Sequence, residues 1–140
     1  MKAQLGPEFD AFLAAYDRPR ALGLRVNPLK CDTLPALPFS LEPVPWARWG
    51  FTYPEGQRPG LHPWHEAGVY YLQEPSAMAP ASLLAPRPGE RVLDLCAAPG
   101  GKSTQLAAVM EGQGLLVCNE VQPKRAKILA QNIERMGIAN

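Results

Sequence analysis

A chain of 140 residues, 46% hydrophobic and 19% charged, is long enough to bury the core of one ordinary domain, and its composition is that of a globular protein. Its formal net charge of +1 excludes binding nucleic acid by bulk charge alone, and no apolar run of about 18 residues is present to span a bilayer, nor anything resembling a signal peptide. Three cysteines without a CxxC pair argue against a disulfide framework or a zinc site and fit a reducing cytoplasm.

Pro7 to Tyr16 (PEFDAFLAAY) reads as a short helix, with Pro7 in its first turn and Phe9, Phe12, Leu13 and Tyr16 at i, i+3, i+4, i+7, a stripe expected to face the core. ALGLRVNPLK (21–30) reads as a strand ending at the Asn27-Pro28 turn. Residues 34–66 are rich in proline and tryptophan, with short strands expected near Leu41–Trp46 and Gly50–Tyr53. GVYYLQEPSAM (68–78) is β-prone to Gln73, and a helix follows over Pro75–Leu84, with Pro80 as an irregularity.

After Arg87-Pro88-Gly89 the pattern changes. RVLDLC (91–96) is a short apolar strand, and Gly101–Gly112 a helix with Leu106, Val109 and Met110 on one side. Gly114–Glu120 is a second strand and Pro123–Gly137 a second helix, with Leu129, Ile133 and Met136 on one face. Strand, helix, strand, helix with tight links is the βαβ pattern of a doubly wound parallel sheet. The fold class is therefore α/β, a Rossmann-like domain starting in residues 67–140, preceded by a small α+β module in residues 1–66. Two strands and two helices do not complete such a domain, so the chain is expected to be a piece of a longer protein.

The loop in VLDLCAAPGGKST (92–104) carries the chemistry. Gly101-Lys102-Ser103 matches the back half of a phosphate-cradling P-loop, but the first glycine of that pattern falls on Cys96. Pro99 removes an N–H donor and Asp94 would repel phosphate, so ATP and GTP are disfavoured. G-x-G-x-x-G is absent, which disfavours a dinucleotide. A nucleoside carrying an amino-acid tail, such as S-adenosylmethionine, meets neither objection. Glycines admit its approach, amides opening the Gly101 helix face its carboxylate, and Asp94 is tolerable near its cationic end. Glu120, 19 residues past Gly101 at the tip of the next strand, is placed to accept hydrogen bonds from ribose hydroxyls.

DLCAAPGGKST (94–104) resembles the cofactor motif of the RNA cytosine-C5 methyltransferases, the NOL1/NOP2/Sun family. LRVNPLK (24–30) is similar to that family's N-terminal module, with Pro28 in place of the usual Thr, and YYLQEPSAM resembles the segment ahead of its methyltransferase domain. The similarity spans about residues 21–140 and is greatest to bacterial members that modify small-subunit ribosomal RNA. It implies an RNA-binding type of N-terminal module and S-adenosylmethionine as cofactor. Cys96, Ala97, Ala98, Pro99, Gly100, Gly101 and Lys102 would wrap that cofactor, Glu120 would hold its ribose, and Arg125 would give support.

The resemblance further implies attack of a cysteine thiolate on carbon 6 of a cytosine in RNA, methyl transfer to carbon 5 and loss of the carbon 5 proton. The family's cysteine motifs, Pro-Cys-Ser-Gly and Thr-Cys-Ser, do not occur, so the nucleophile is expected beyond Asn140 and this chain alone is expected to be inactive. Cys118 reads as a buried structural thiol and Cys31 has no visible activator. Arg18, Arg20, Arg25 and Lys30, and separately Lys124, Arg125 and Lys127, are the candidate contacts to RNA phosphates. Trp46, Trp49, Trp64, Tyr70 and Tyr71 could stack on bases but suit core packing better. His62 and His65 lack partners at metal spacing. The alternative reading is a non-catalytic RNA-binding module that keeps a methyltransferase-like fold.

Overall fold

The computed structural model describes all of residues 1–140. Its first half forms an antiparallel sheet from β1 (Leu22–Val26), β2 (Glu42–Pro43), β3 (Gly50–Tyr53) and β4 (Tyr70–Leu72), in the order β2-β3-β1-β4. The register sets Leu24 opposite both Phe51 and Leu72. Leu24, Val26, Phe51 and Tyr70 make one buried cluster. Each such side chain contributes roughly 1.5–3 kcal/mol by leaving water.

Short helices α1 (Lys2–Leu5) and α2 (Phe9–Ala14) precede this sheet, and α3 (Pro63–Glu66) leads into β4. The stripe expected in the core does not reach it. Residues 7–16 are split between 3₁₀ turns and α2, none of them is buried, and Leu13 and Tyr16 are 47% and 74% exposed. Helical spacing shows that one face is apolar; it does not supply an element to cover that face. Phe12 and Tyr16 instead stack edge to face on each other, ring centroids 5.4 Å apart.

The second half contains α4 (Pro75–Leu84), then β5 (Arg91–Asp94), α5 (Gly101–Val109), β6 (Leu115–Cys118) and α6 (Pro123–Met136). β5 and β6 pair in parallel, Asp94 beside Cys118, as the βαβ pattern predicts. Ala81 of α4, Leu106, Ala107 and Met110 on the α5 side, and Leu116 of β6 form the core on one face of this sheet. Val109, expected with Leu106 and Met110, is instead 40% exposed. The opposite sheet face is open: Leu93, Leu115 and Val117 are exposed. No helix is long and apolar enough to cross a membrane.

The halves are joined by packing and by hydrogen bonds. α4 lies against α5 and also against β1 and β3, and Met78 of α4 is buried with Val44 and Ala47. β4, sequence-assigned to the second unit by the division after residue 66, pairs instead with β1 of the first.

The polar residues of LRVNPLK all reach across the junction. Buried Asn27 donates to the carbonyls of Gly68 (3.0 Å) and Met136 (2.9 Å). Lys30 donates to the carbonyls of Ala67 and Arg135, closing the C-terminal end of α6, where cations are favoured. Arg25 is 2% exposed and donates to Gln73 and to the first turn of α5. Arg25 is thus unavailable to RNA phosphates, a correction to its assignment among the candidate contacts. Sequence proximity grouped these cations, but only Arg25 lies in β1, which turns it inward.

Candidate functional site

The loop between β5 and α5 leaves the sheet at the carboxyl end of β5, where open α/β sheets hold ligands. Asp94, the last residue of β5, anchors its base. One carboxylate oxygen accepts from the Cys96 amide at 3.3 Å, and the other from the Ser103 hydroxyl at 2.7 Å. Asp94 therefore ties the loop's beginning to the helix that follows it. Its role is internal, where sequence reasoning had weighed it only for its charge.

The carbonyls of the loop are held by side chains from three other elements, β1, β4 and α6. Arg125 donates to Ala98 O at 2.7 Å, and Asn132 to Pro99 O at 2.8 Å. The Tyr71 hydroxyl lies 3.4 Å from Pro99 O, and Arg25 donates to Gly101 O at 3.3 Å. The Ala98–Pro99 peptide is cis. With these carbonyls occupied, the amides of Ala98, Gly100, Gly101, Lys102 and Ser103 have no acceptor in the protein. Of these residues Gly101 and Lys102 are open to solvent, and free amides at the positive end of a helix can donate to a carboxylate.

Of the two glycines, Gly100 is required by the protein itself. Gly100 has φ +112°, and a Cβ there would stand 3.1 Å from Leu129 Cδ1 of α6. A Cβ at Gly101 would meet Tyr71 and Gln73 at 3.4–3.5 Å, ordinary contact that the protein tolerates. The loop is clamped between α6 on one side and the segment after β4 on the other.

Glu120 follows β6 and is joined to the loop through Arg125. The Arg125 guanidinium lies 3.2 Å from one Glu120 carboxylate oxygen and also holds Ala98 O; the other Glu120 oxygen accepts from the Gln122 amide at 2.9 Å. The Glu120 side chain is only 4% exposed. Each carboxylate oxygen keeps lone-pair capacity beyond these contacts, so the group can still accept from hydroxyls. Beside it an open groove of about 640 Å³ runs along α6, lined by Glu120, Asn119, Ala126, Leu129, Ala130 and Ile133. Ala126, Ala130 and Asn132 were not singled out from the sequence, and Leu129 and Ile133 only as a helix face; helical spacing does not tell which ligand or loop that face meets.

Of the expected loop residues, Ala97, Ala98 and Gly100 are buried, while Cys96, Pro99 and Lys102 are exposed. Cys118 is half-buried against the α5 and α6 clusters, and burial pushes its thiol up, partly countered by the Ser103 hydroxyl. Tyr70 is fully buried and Tyr71 nearly so, whereas Trp46 is 50% exposed and spends its indole N–H on Pro75 O.

The chain matches two family descriptions: the N-terminal domain of 16S rRNA methyltransferase RsmF over residues 1–75, and 16S rRNA methyltransferase RsmB/F over residues 81–140. Ribosomal RNA small subunit methyltransferase F of Shewanella amazonensis is 42% identical to it, over 94% of this chain and 30% of the relative. The protein of the same description from Vibrio cholerae is 44% identical, over 92% and 30%. A crystal structure of a methyltransferase homolog protein from Pyrococcus horikoshii superposes with a TM-score of 0.87 at 34% identity, over 96% of this chain and 47% of that one. The chain thus spans about 30% of the length of the curated relatives it matches.

Proposed function

The chain belongs to the 16S rRNA methyltransferase RsmF family, and from that premise we propose that it is the cofactor-holding part of an enzyme that methylates carbon 5 of cytosine in small-subunit ribosomal RNA with S-adenosylmethionine. The observation that carries this reading is the donor set on the loop. Amides without a protein acceptor run from the loop into the first turn of α5, among them those of Gly101 and Lys102, and a carboxylate, Glu120, stands at the tip of the neighbouring strand. This set suits a ligand with a carboxylate at one end and ribose hydroxyls at the other. Cys96 to Lys102 would hold the amino-acid end and Glu120 the ribose, with Arg125 fixing the distance between them. The cofactor, when bound, supplies an electrophilic methyl group.

The residues of this chain bind and orient; they do not supply the nucleophile. Cys118 is half-buried with its thiol pushed up by burial, unsuited to attack as a thiolate. Cys96 belongs to the loop itself. We assign the attacking cysteine to sequence beyond Asn140. For RNA, exposed Arg18, Arg20, Lys124 and Lys127 are the proposed phosphate contacts, each adding modestly and each sensitive to salt. We propose residues 1–66 as the RNA-binding module and residues 67–140 as the start of the cofactor domain, with β4 as the strand that fastens one to the other.

Thiol labelling tests the loop assignment. Exposed Cys96 is expected to alkylate faster than Cys118. Saturating S-adenosylhomocysteine, the demethylated product, should slow Cys96 at least roughly tenfold while leaving Cys31 unchanged, because a covered thiol loses its access. An unchanged Cys96 rate with the ligand bound would remove the loop from the site.

A further inference from the structure

We infer that Arg25, a residue of the N-terminal sheet, supplies the positive charge behind the loop that selects a carboxylate-bearing ligand. The inference rests on the cofactor reading above and adds a specificity determinant to it.

Arg25 is 2% exposed, and neither ion pair of the structure, His65–Glu66 or Arg125–Glu120, includes it. Burial draws its pKa down to about 10, partly offset by Tyr71, so it remains charged at neutral pH. A buried cation without a carboxylate partner is costly, and natural proteins rarely keep one. Its location makes the cost larger. One guanidinium nitrogen donates to Thr104 Oγ1 at 2.7 Å and to Gly101 O at 3.3 Å, both in the first turn of α5. That is the positive end of the helix, where cations are disfavoured and anions favoured.

The other contacts are neutral. Nε donates to Gln73 Oε1 at 3.0 Å, the Tyr71 ring lies 5.9 Å from the guanidinium carbon, and Nη1 has no hydrogen-bond partner. Gln73 is in turn held by Ala77 O and Gln105. Nothing in the protein balances the charge. An anion resting on the free amides of Gly101 and Lys102 would balance it, since those amides open the same turn that Arg25 grips. Arg25 would touch no ligand atom. It acts through the helix turn, as a positioning and charge-supplying residue.

Two ligands that differ at the amino-acid end separate this role from a merely structural one. S-adenosylhomocysteine carries the carboxylate, and 5′-methylthioadenosine lacks it and keeps the nucleoside. Calorimetric titration of the wild-type chain, Arg25→Gln, Arg25→Lys and Thr104→Val is the test. Arg25→Gln should weaken S-adenosylhomocysteine roughly tenfold or more and change 5′-methylthioadenosine by less than about twofold. Arg25→Lys should retain most of the preference, because it keeps the charge. Thr104→Val, which preserves side-chain volume and removes the 2.7 Å acceptor, should weaken S-adenosylhomocysteine severalfold even if Arg25→Gln does not fold. Equal weakening of both ligands in Arg25→Gln or Thr104→Val would overturn the inference and leave the cofactor reading intact. Failure of the wild-type chain to bind either ligand would overturn the cofactor reading and the inference with it.

Discussion

Gly68→Ala is expected to destabilise the chain by about 4 kcal/mol or more, at the upper end for a single substitution. Gly68 has φ +69°, and a Cβ there would overlap the backbone carbonyl of Arg135 at the end of α6. The neighbourhood cannot yield cheaply. Gly68 O accepts from buried Asn27, the Arg135 carbonyl accepts from Lys30, and the Arg135 side chain reaches His65 O and Tyr70 O. Moving α6 away would break contacts that hold the two halves together. Gly56→Ala is the control. Gly56 has φ +89° with no atom within 4 Å of an added Cβ, so only the backbone conformation opposes it, at about 1–2 kcal/mol. Urea denaturation of both variants isolates the steric part, and equal losses would mean that the α6 junction does not form as described.

Glu120→Ala is expected to abolish most of the stabilisation by S-adenosylhomocysteine at a smaller cost to the unliganded chain. Arg125 is 54% exposed, so screening limits the lost ion pair to about 1 kcal/mol or less, and the Gln122 amide loses its acceptor, about 1 kcal/mol more. Arg125 keeps its bond to Ala98 O, and the loop stays in place. The loss on the ligand side is larger, because hydrogen bonds to a carboxylate are worth roughly 1.5–3 kcal/mol each, and two hydroxyls would weaken binding about 100-fold. A ligand at about 100 times the wild-type Kd stabilises by roughly 2.7 kcal/mol, and at 100-fold weaker affinity by only about 0.4 kcal/mol. Thermal melts read both numbers, and a full shift in Glu120→Ala would exclude Glu120 from the ribose.

What could be read from the sequence was what is local. The βαβ half follows from short apolar runs, Pro123 opening a helix and Gly137 closing it, and α5, β6 and α6 lie within a few residues of where the pattern puts them. The loop was legible because its residues are contiguous. Asn27, Lys30 and Arg25 were not, since their partners lie 37 to 109 residues away. Only Arg25 lies in β1, and the residues around it do not say what it faces. The N-terminal stripe failed for a related reason: periodicity measures amphipathicity, while burial needs a second surface.

The central claim is that the loop after β5 holds a methyl donor rather than a nucleoside phosphate. A thermal melt of the chain with S-adenosylhomocysteine, and with ATP in parallel, tests it most directly. At about 100 times Kd, S-adenosylhomocysteine should add roughly 2.7 kcal/mol and raise Tm by several degrees, with no shift from ATP. A cooperative melt that ATP raises and S-adenosylhomocysteine leaves unmoved would contradict the account and return the loop to the phosphate reading that Pro99 and Asp94 oppose.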